Sequence, residues 1–175
     1  MRFLIGSFNN SGRKFRYTRL MHQRREVIRM KFLQLTGAFR RRFSTDEKCL
    51  KHILKVRVKS GFNCPRCGGT DFRWIKGRNA VRCSKHRNQL NILKDTAMYG
   101  SPLPLYTWFW AAYIVTRFED YSIAAFQRDE MLSRWDTAKD VIMKLKQRRL
   151  LLKKQGAEVE QKSGDMLHKI LGLSP

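Results

Sequence analysis

Cys64-Pro65-Arg66-Cys67 and Cys83-Ser84-Lys85-His86, with fifteen residues between them, decide how the rest of the chain is read. The pattern is C-x2-C…C-x2-H, and the gap suits a zinc ribbon. Each half can form a tight knuckle that presents two ligands to one side. Cys64, Cys67, Cys83 and His86 then complete a tetrahedral shell of three thiolates and one imidazole, the closed set of a structural Zn²⁺. Pro65 stiffens the first knuckle, and Gly68 and Gly69 let the chain turn back beneath the metal. Four good ligands leave no open position, which argues against a catalytic metal. The bland alternative is three buried thiols and an unrelated histidine. A disulfide pairing fits less well, because the cysteines stand at metal spacing and Cys49 is left over.

The residues between the knuckles fit a small sheet. Asp71-Phe72-Arg73-Trp74-Ile75 reads as a strand, Lys76-Gly77-Arg78-Asn79 as a turn, and Ala80-Val81-Arg82 as the return to the second ligand pair. Gln89-Leu90-Asn91-Ile92-Leu93 alternates and should be a last strand.

A length of 175 residues holds one ordinary domain or two small ones, and 42% hydrophobic residues are enough for a core. The net charge of +23 implies attraction to a polyanion, most simply DNA or RNA. An acidic membrane surface is the weaker reading. No apolar run approaches the ~20 residues of a membrane helix, and no secretory signal is visible. Metal-spaced cysteines suit a reducing compartment: an intracellular protein, nucleoid-associated or nuclear.

Residues 1–43 are a basic extension, in which eleven named cations from Arg13 to Arg42 face Glu26 alone. Three readings stay open. It is an arm lying along phosphates, a mitochondrial-like targeting segment, or a solvated tail.

Ser44-Thr45-Asp46-Glu47 reads as a capping box. Cys49, Leu50, Ile53 and Leu54 follow at helical spacing, with Cys49 on the apolar stripe and His52 off it and exposed. After Gly100-Ser101-Pro102-Leu103-Pro104, an apolar helix runs from about Leu105 to Arg117; its aromatics read as core rather than as a base-stacking platform. Ser122 caps the next helix. A break near Met131-Leu132-Ser133 precedes another, marked by Trp135, Ala138, Val141, Ile142 and Leu145. Two short helices with a tight break meet the requirement of a helix-turn-helix, as does any small helical bundle. The exposed face of the second would offer Arg134, Lys139 and Lys144. Residues from Gln155 onward read as polar, with Met166, Leu167, Ile170 and Leu171 able to form one amphipathic turn. The fold expected is α+β: a basic extension (1–43), a capping helix plus zinc-ribbon β module (44–101), a helix-turn-helix-like bundle (102–150) and a polar tail (151–175).

The order of helix, ribbon, Pro-Leu-x-x-Trp-Phe helix and helix-turn-helix resembles the N-terminal region of insertion-sequence transposases that carry a zinc ribbon, and of the related eukaryotic Merlin elements. The matching residues include Phe43, Glu47, Cys49 and Leu50, then Gly61-Phe62, Cys64-Pro65-Arg66-Cys67-Gly68-Gly69, Trp74, Cys83 and Thr96. Pro104-Leu105, Trp108-Phe109-Trp110-Ala111, Ser122-Ile123-Ala124 and Thr137-Ala138 continue it. The chain departs from the family at His86, commonly cysteine, and at Asp95, commonly glycine. It departs again in the Asp129–Ser133 turn, which lacks the favoured glycine.

The resemblance implies a zinc-dependent DNA-binding protein derived from a transposase. Arg66, Arg73, Lys76, Arg78, Arg82 and Lys85 are the candidate ribbon contacts. In the family a ribonuclease H-like domain with metal-holding carboxylates follows this region. Only 25 residues follow Leu150, and their carboxylates and those of the helices read as capping and solvation, so no catalysis is expected. The partners expected are duplex DNA and a second copy or a transposase. Rival readings are an RNA-binding or ribosome-associated ribbon protein, an interaction module whose charge serves solubility, and a fragment of a split transposase.

Overall fold

A computed structural model describes residues 36–75, 77–118, 121–154 and 163–173. The contacts divide the chain into two units, Met1–Arg42 and Phe43–Pro175. In the first, residues 36–42 are helical; the readings of the extension fall mostly on residues 1–35, outside the described residues. The second unit holds both the ribbon and the helices.

Its first helix, α1 (Asp46–Lys59), starts one residue later than the capping-box reading would place it. Thr45 is the N-cap, and its Oγ1 accepts from the Lys48 backbone N–H at 3.3 Å. Glu47 does not reach back to the cap; it pairs with Lys51 at 2.7 Å. Ser44 Oγ instead accepts from the Lys48 ammonium at 2.8 Å. The box fails because, with the cap at Thr45, the third helical position is a lysine. The helix ends in a Schellman turn. The Phe62 N–H reaches the Arg57 carbonyl at 2.8 Å and the Gly61 N–H reaches Val58 at 3.1 Å. Gly61 takes the left-handed φ of 91° that this turn needs. The Arg57 guanidinium then lies over the Phe62 ring, which meets Phe72 of the ribbon.

Three short antiparallel strands follow: β1 (Phe72–Trp74), β2 (Ala80–Cys83) and β3 (Gln89–Asn91), in that order across the sheet. Phe72 opposes Cys83, Trp74 opposes Val81, and Val81 opposes Leu90 on the third strand. Strands alternate faces, so Phe72, Trp74, Val81 and Cys83 share the inner face. Arg73, Arg82 and Gln89 line one rung of the outer face. The last strand stops two residues short of Leu93, because the Asn91 side chain accepts from the Leu93 N–H at 2.8 Å and turns the chain.

The hub is α2 (Leu105–Arg117), which packs on α1, α4 and α5 (the last two defined below) and buries ten of its thirteen residues. Trp108, Phe109 and Trp110 are core, as the apolar run implies. The Pro104 at its N-cap offers no side-chain hydrogen bond. Asp46 supplies it from α1: Oδ1 accepts from the N–H groups of Leu105 at 2.8 Å and Tyr106 at 3.3 Å. A carboxylate at a helix N-terminus satisfies free donors and opposes the positive end of the dipole. Asp46→Ala should therefore lower stability by about 1–2 kcal/mol, the loss of a good cap, measured by urea denaturation. Asp46→Asn should recover part of it; equal melting of all three proteins would contradict this role.

α3 (Ile123–Asp129) is capped by Ser122, whose Oγ accepts from Ala125 N–H at 3.1 Å. A five-residue turn leads to α4 (Trp135–Lys154), which packs on α3. Gln127 closes the turn by two bonds: its carbonyl accepts from Leu132 N–H at 2.9 Å and its amide donates to Leu132 O at 3.2 Å. Met131 sits there at φ 49°, which is why a glycine would suit the position.

The C-terminal residues contain the amphipathic turn expected at residues 166–171, but in a longer, docked helix that corrects the polar-tail reading. Residues 155–162 lie outside the described ones, but Ser163–Leu171 form α5, packed on α2 and α4. Leu167, Ile170, Leu171 and Leu173 are buried. The composition around Gln155 is polar, yet four apolar side chains at helical spacing suffice to dock a short helix on an existing core. A second Schellman turn ends it, with Leu173 N–H on His168 O at 2.9 Å and Gly172 N–H on Lys169 O at 3.0 Å. His52 is a further correction. It is half-buried, 2.9 Å from His168 of α5 through the two Nε2 atoms and edge-on to Phe43. Its partner lies 116 residues away, so the stripe of α1 alone could not reveal it.

Candidate metal centre

The two knuckles have the same backbone. In the first, the Cys64 N–H donates to Gly69 O at 2.9 Å and the Gly68 N–H returns to Cys64 O at 2.7 Å. In the second, the Cys83 N–H donates to Asn88 O at 2.9 Å and the Arg87 N–H returns to Cys83 O at 3.0 Å. The residue after each second ligand turns left-handed, Gly68 at φ 66° and Arg87 at φ 56°. His86 therefore occupies the place in its knuckle that Cys67 occupies in the other.

The ligand atoms of Cys64, Cys67, Cys83 and His86 all lie within 4.8 Å of one another. Cys67 and Cys83 Sγ are 3.8 Å apart. A tetrahedron with Zn–S bonds of ~2.3 Å has edges of about that length, whereas a disulfide needs ~2.05 Å. All four cysteines are free thiols. The Arg66 backbone N–H points at the Cys64 sulfur and holds that thiol below its ordinary value; the His86 N–H does the same for Cys83. Thiolate is the metal-binding form, so the knuckle backbone favours it at these two sulfurs; the Cys67 thiol, although the Gly69 N–H favours its thiolate, is raised by burial and by the neighbouring Cys64 and Cys83 sulfurs. The donor set and spacing fit Zn²⁺ in a structural role.

Cys49 stands apart. It is fully buried on α1, and burial, with Asp46 nearby, pushes its thiol up to about 12. It is a core residue, as its place on the stripe implies.

Residues 44–89 match the family model of the transposase zinc-ribbon domain. The match takes in α1, both knuckles and the first two strands. It supports a transposase-related zinc-ribbon region, with a Cys/His cluster placed to hold a structural metal and suited to zinc. No curated protein and no solved structure matches the chain.

The family departures now have physical content. Asp95 has φ 66°, a conformation glycine adopts without strain. Arg87 carries the same burden in the second knuckle. Arg87→Gly should stabilise the zinc-loaded protein by about 1 kcal/mol, the left-handed penalty of a residue with a Cβ. A thermal melt at saturating zinc would show it, and a lower melting temperature would contradict the knuckle symmetry.

The candidate cations separate into groups. Arg66, Arg73, Arg78, Arg82 and Lys85 are all exposed on the ribbon; Lys76 is outside the described residues. Arg73 directly opposes Arg82. Arg134 is exposed at the start of α4, and Lys139 is exposed with its ammonium over the Trp135 ring. Lys144 is exposed as well, with its ammonium donating to Ala97 O at 2.8 Å and lying over Trp108. Lys51, Lys55 and Lys59 were not among the candidates. Their i, i+4, i+8 spacing is visible in the chain, but that they stand beside Trp74 is not.

Proposed function

We propose that this chain is a zinc-dependent DNA-binding protein of transposase origin, in which the metal holds a basic ribbon against duplex phosphates. The observation that carries the reading is the outer rung of the sheet. Arg73 and Arg82 face each other on adjacent strands, both exposed. Like charges directly opposite destabilise a sheet. An anion between them offsets that repulsion, and a phosphate is the anion two guanidiniums suit best. The net charge of +23 favours the same class of partner.

α3 and α4, joined by the Gln127-locked turn, act as a helix-turn-helix in this reading, with Arg134 and Lys139 toward the DNA. The protein binds without catalytic chemistry of its own. Three carboxylates in structural roles support this: Asp46 caps α2, Glu130 accepts from Thr107 at 3.0 Å, and Asp129 accepts from the Tyr121 hydroxyl. Among the described residues no helix is long and apolar enough to cross a membrane.

The test is binding of zinc-loaded protein to transposon-end duplex, random duplex and matched RNA across a salt series. Preference for the end sequence at moderate salt is expected. The double variant Arg73→Gln/Arg82→Gln should lower the salt slope by about two units. Tighter binding to RNA, or equal and steeply salt-sensitive binding to all three, would overturn the reading.

A further inference from the structure

A second basic surface lies on the other side of the ribbon. A groove of about 430 Å³ runs between α1 and the edge strand β1, lined by Lys51, Leu54, Lys55, Val58, Lys59 and Trp74. The three lysines are exposed and recur every four residues, so they form a row with a rise of ~6 Å between ammonium stems. Leu54 and Val58 floor the groove, half-buried. Trp74 is at its far wall with 40% of its surface exposed. Among the described residues, Lys51 alone of the three has an acidic partner, Glu47 at 2.7 Å, and both side chains are more than half exposed, so that pair contributes little.

A tryptophan of this size left open on a small sheet needs an account. Phe72, on the same inner face, is covered by Phe62. Trp74 stands two residues further along, beyond that contact, at the edge where β1 has no further strand. The outer rung offers charge alone; this groove offers charge beside an aromatic face. Duplex DNA presents phosphates but keeps its base faces stacked. A single strand presents both, and stacking of a base on an aromatic side chain is sequence-tolerant.

We propose that the α1–β1 groove binds single-stranded DNA, with a base stacked on Trp74 and successive phosphates along Lys51, Lys55 and Lys59. The choice of DNA rests on the proposed function; the single-strand preference does not. The protein would then hold a duplex through the outer face of the ribbon and an unpaired strand, such as a frayed end, through the inner edge.

Fluorescence anisotropy with the full zinc-loaded chain tests this, using a labelled 12-mer oligo(dT), oligo(U) of the same length, and a random 12-bp duplex. Trp74→Ala should weaken oligo(dT) binding roughly tenfold, within the range lost with one stacking contact, and change duplex binding less than twofold. Trp74→Phe should restore most of the difference. Lys55→Gln/Lys59→Gln should lower the oligo(dT) salt slope by about 1.4 units. Zinc content and helical circular dichroism confirm that each variant is folded. Unchanged oligo(dT) affinity in Trp74→Ala, or an equal loss for the duplex, would overturn the groove. Trp74-dependent binding of oligo(U) tighter than of oligo(dT) would overturn the choice of DNA. Trp74-dependent oligo(dT) binding with no duplex binding would support the groove and overturn the proposed function instead.

Discussion

Cys83→Ser is expected to abolish stoichiometric zinc binding and to unfold the ribbon while leaving the helical core in place. Cys83 is the only ligand that is also a strand residue. It is buried, opposes Phe72 across the sheet, and its own N–H and C=O close the second knuckle. The three strands total ten residues, and so short a sheet has little apolar surface to bury. The metal supplies what the core does not: apparent binding free energies of structural zinc are about 10–16 kcal/mol, and in such modules they are folding free energy. The hub α2 and its partners α4 and α5 contain none of the ligands. Hydrogen exchange should then show lost protection across residues 62–91 and retained protection in α2. Chelation of the wild-type protein should reproduce the pattern and open Cys64, Cys67 and Cys83 to alkylation. Cys49, shielded by burial, should react only on global unfolding. His86→Cys should keep zinc, since four thiolates suit the same tetrahedron. If Cys83→Ser retained one zinc with unchanged protection, the cluster would not be the staple described here.

The second large effect is at Gly172. It holds φ 74° at the end of α5, and a Cβ there would meet Arg148 Nη2 at 2.7 Å, Asp95 O at 3.0 Å and Thr96 Cα at 3.3 Å. The arginine head can move aside. The two backbone atoms cannot, because Thr96 Oγ1 is bonded to Leu93 O at 2.6 Å and Ala97 N–H to Leu171 O at 3.0 Å. Gly172→Ala therefore combines the left-handed penalty of about 1–2 kcal/mol with a steric one, for a total of about 2–4 kcal/mol. Gly77 provides the control. Its φ is 73° and nothing lies within 4 Å of its Cβ position, so Gly77→Ala should show the conformational part alone, about 1 kcal/mol. Denaturant midpoints of the two variants separate the terms. Equal losses would mean that α5 does not press on residues 95–96.

α5 also shows where the sequence misleads. Around Gln155 the composition is that of a linker, and Met166, Leu167, Ile170 and Leu171 predict one amphipathic turn but not the length of the helix or what it docks on. Their burial depends on a surface made by α2 and α4, which no local pattern describes. The same reason hides the His52–His168 contact, the capping of α2 by Asp46 from α1, and the hydrogen bond from Lys144 to Ala97 O. Each joins residues 47 or more apart. The capping box fails for a smaller reason: a one-residue shift of the cap replaces Glu47 with Lys48 at the position that must reach back.

The features legible in the chain alone are those governed by local rules. Metal chemistry sets ligand spacing, so Cys64, Cys67, Cys83 and His86 could be named as a set. Strand and turn signals marked residues 71–75, the turn at 76–79 and residues 80–82, and a strongly apolar stretch marked α2 from Leu105 to Arg117. That Lys144 reaches Ala97 O, and that the lysine row of α1 and Trp74 share a groove, follow from packing between distant elements. Local spacing fixes which residues share a face. Which faces meet is fixed by the burial of apolar surface between elements far apart in the chain.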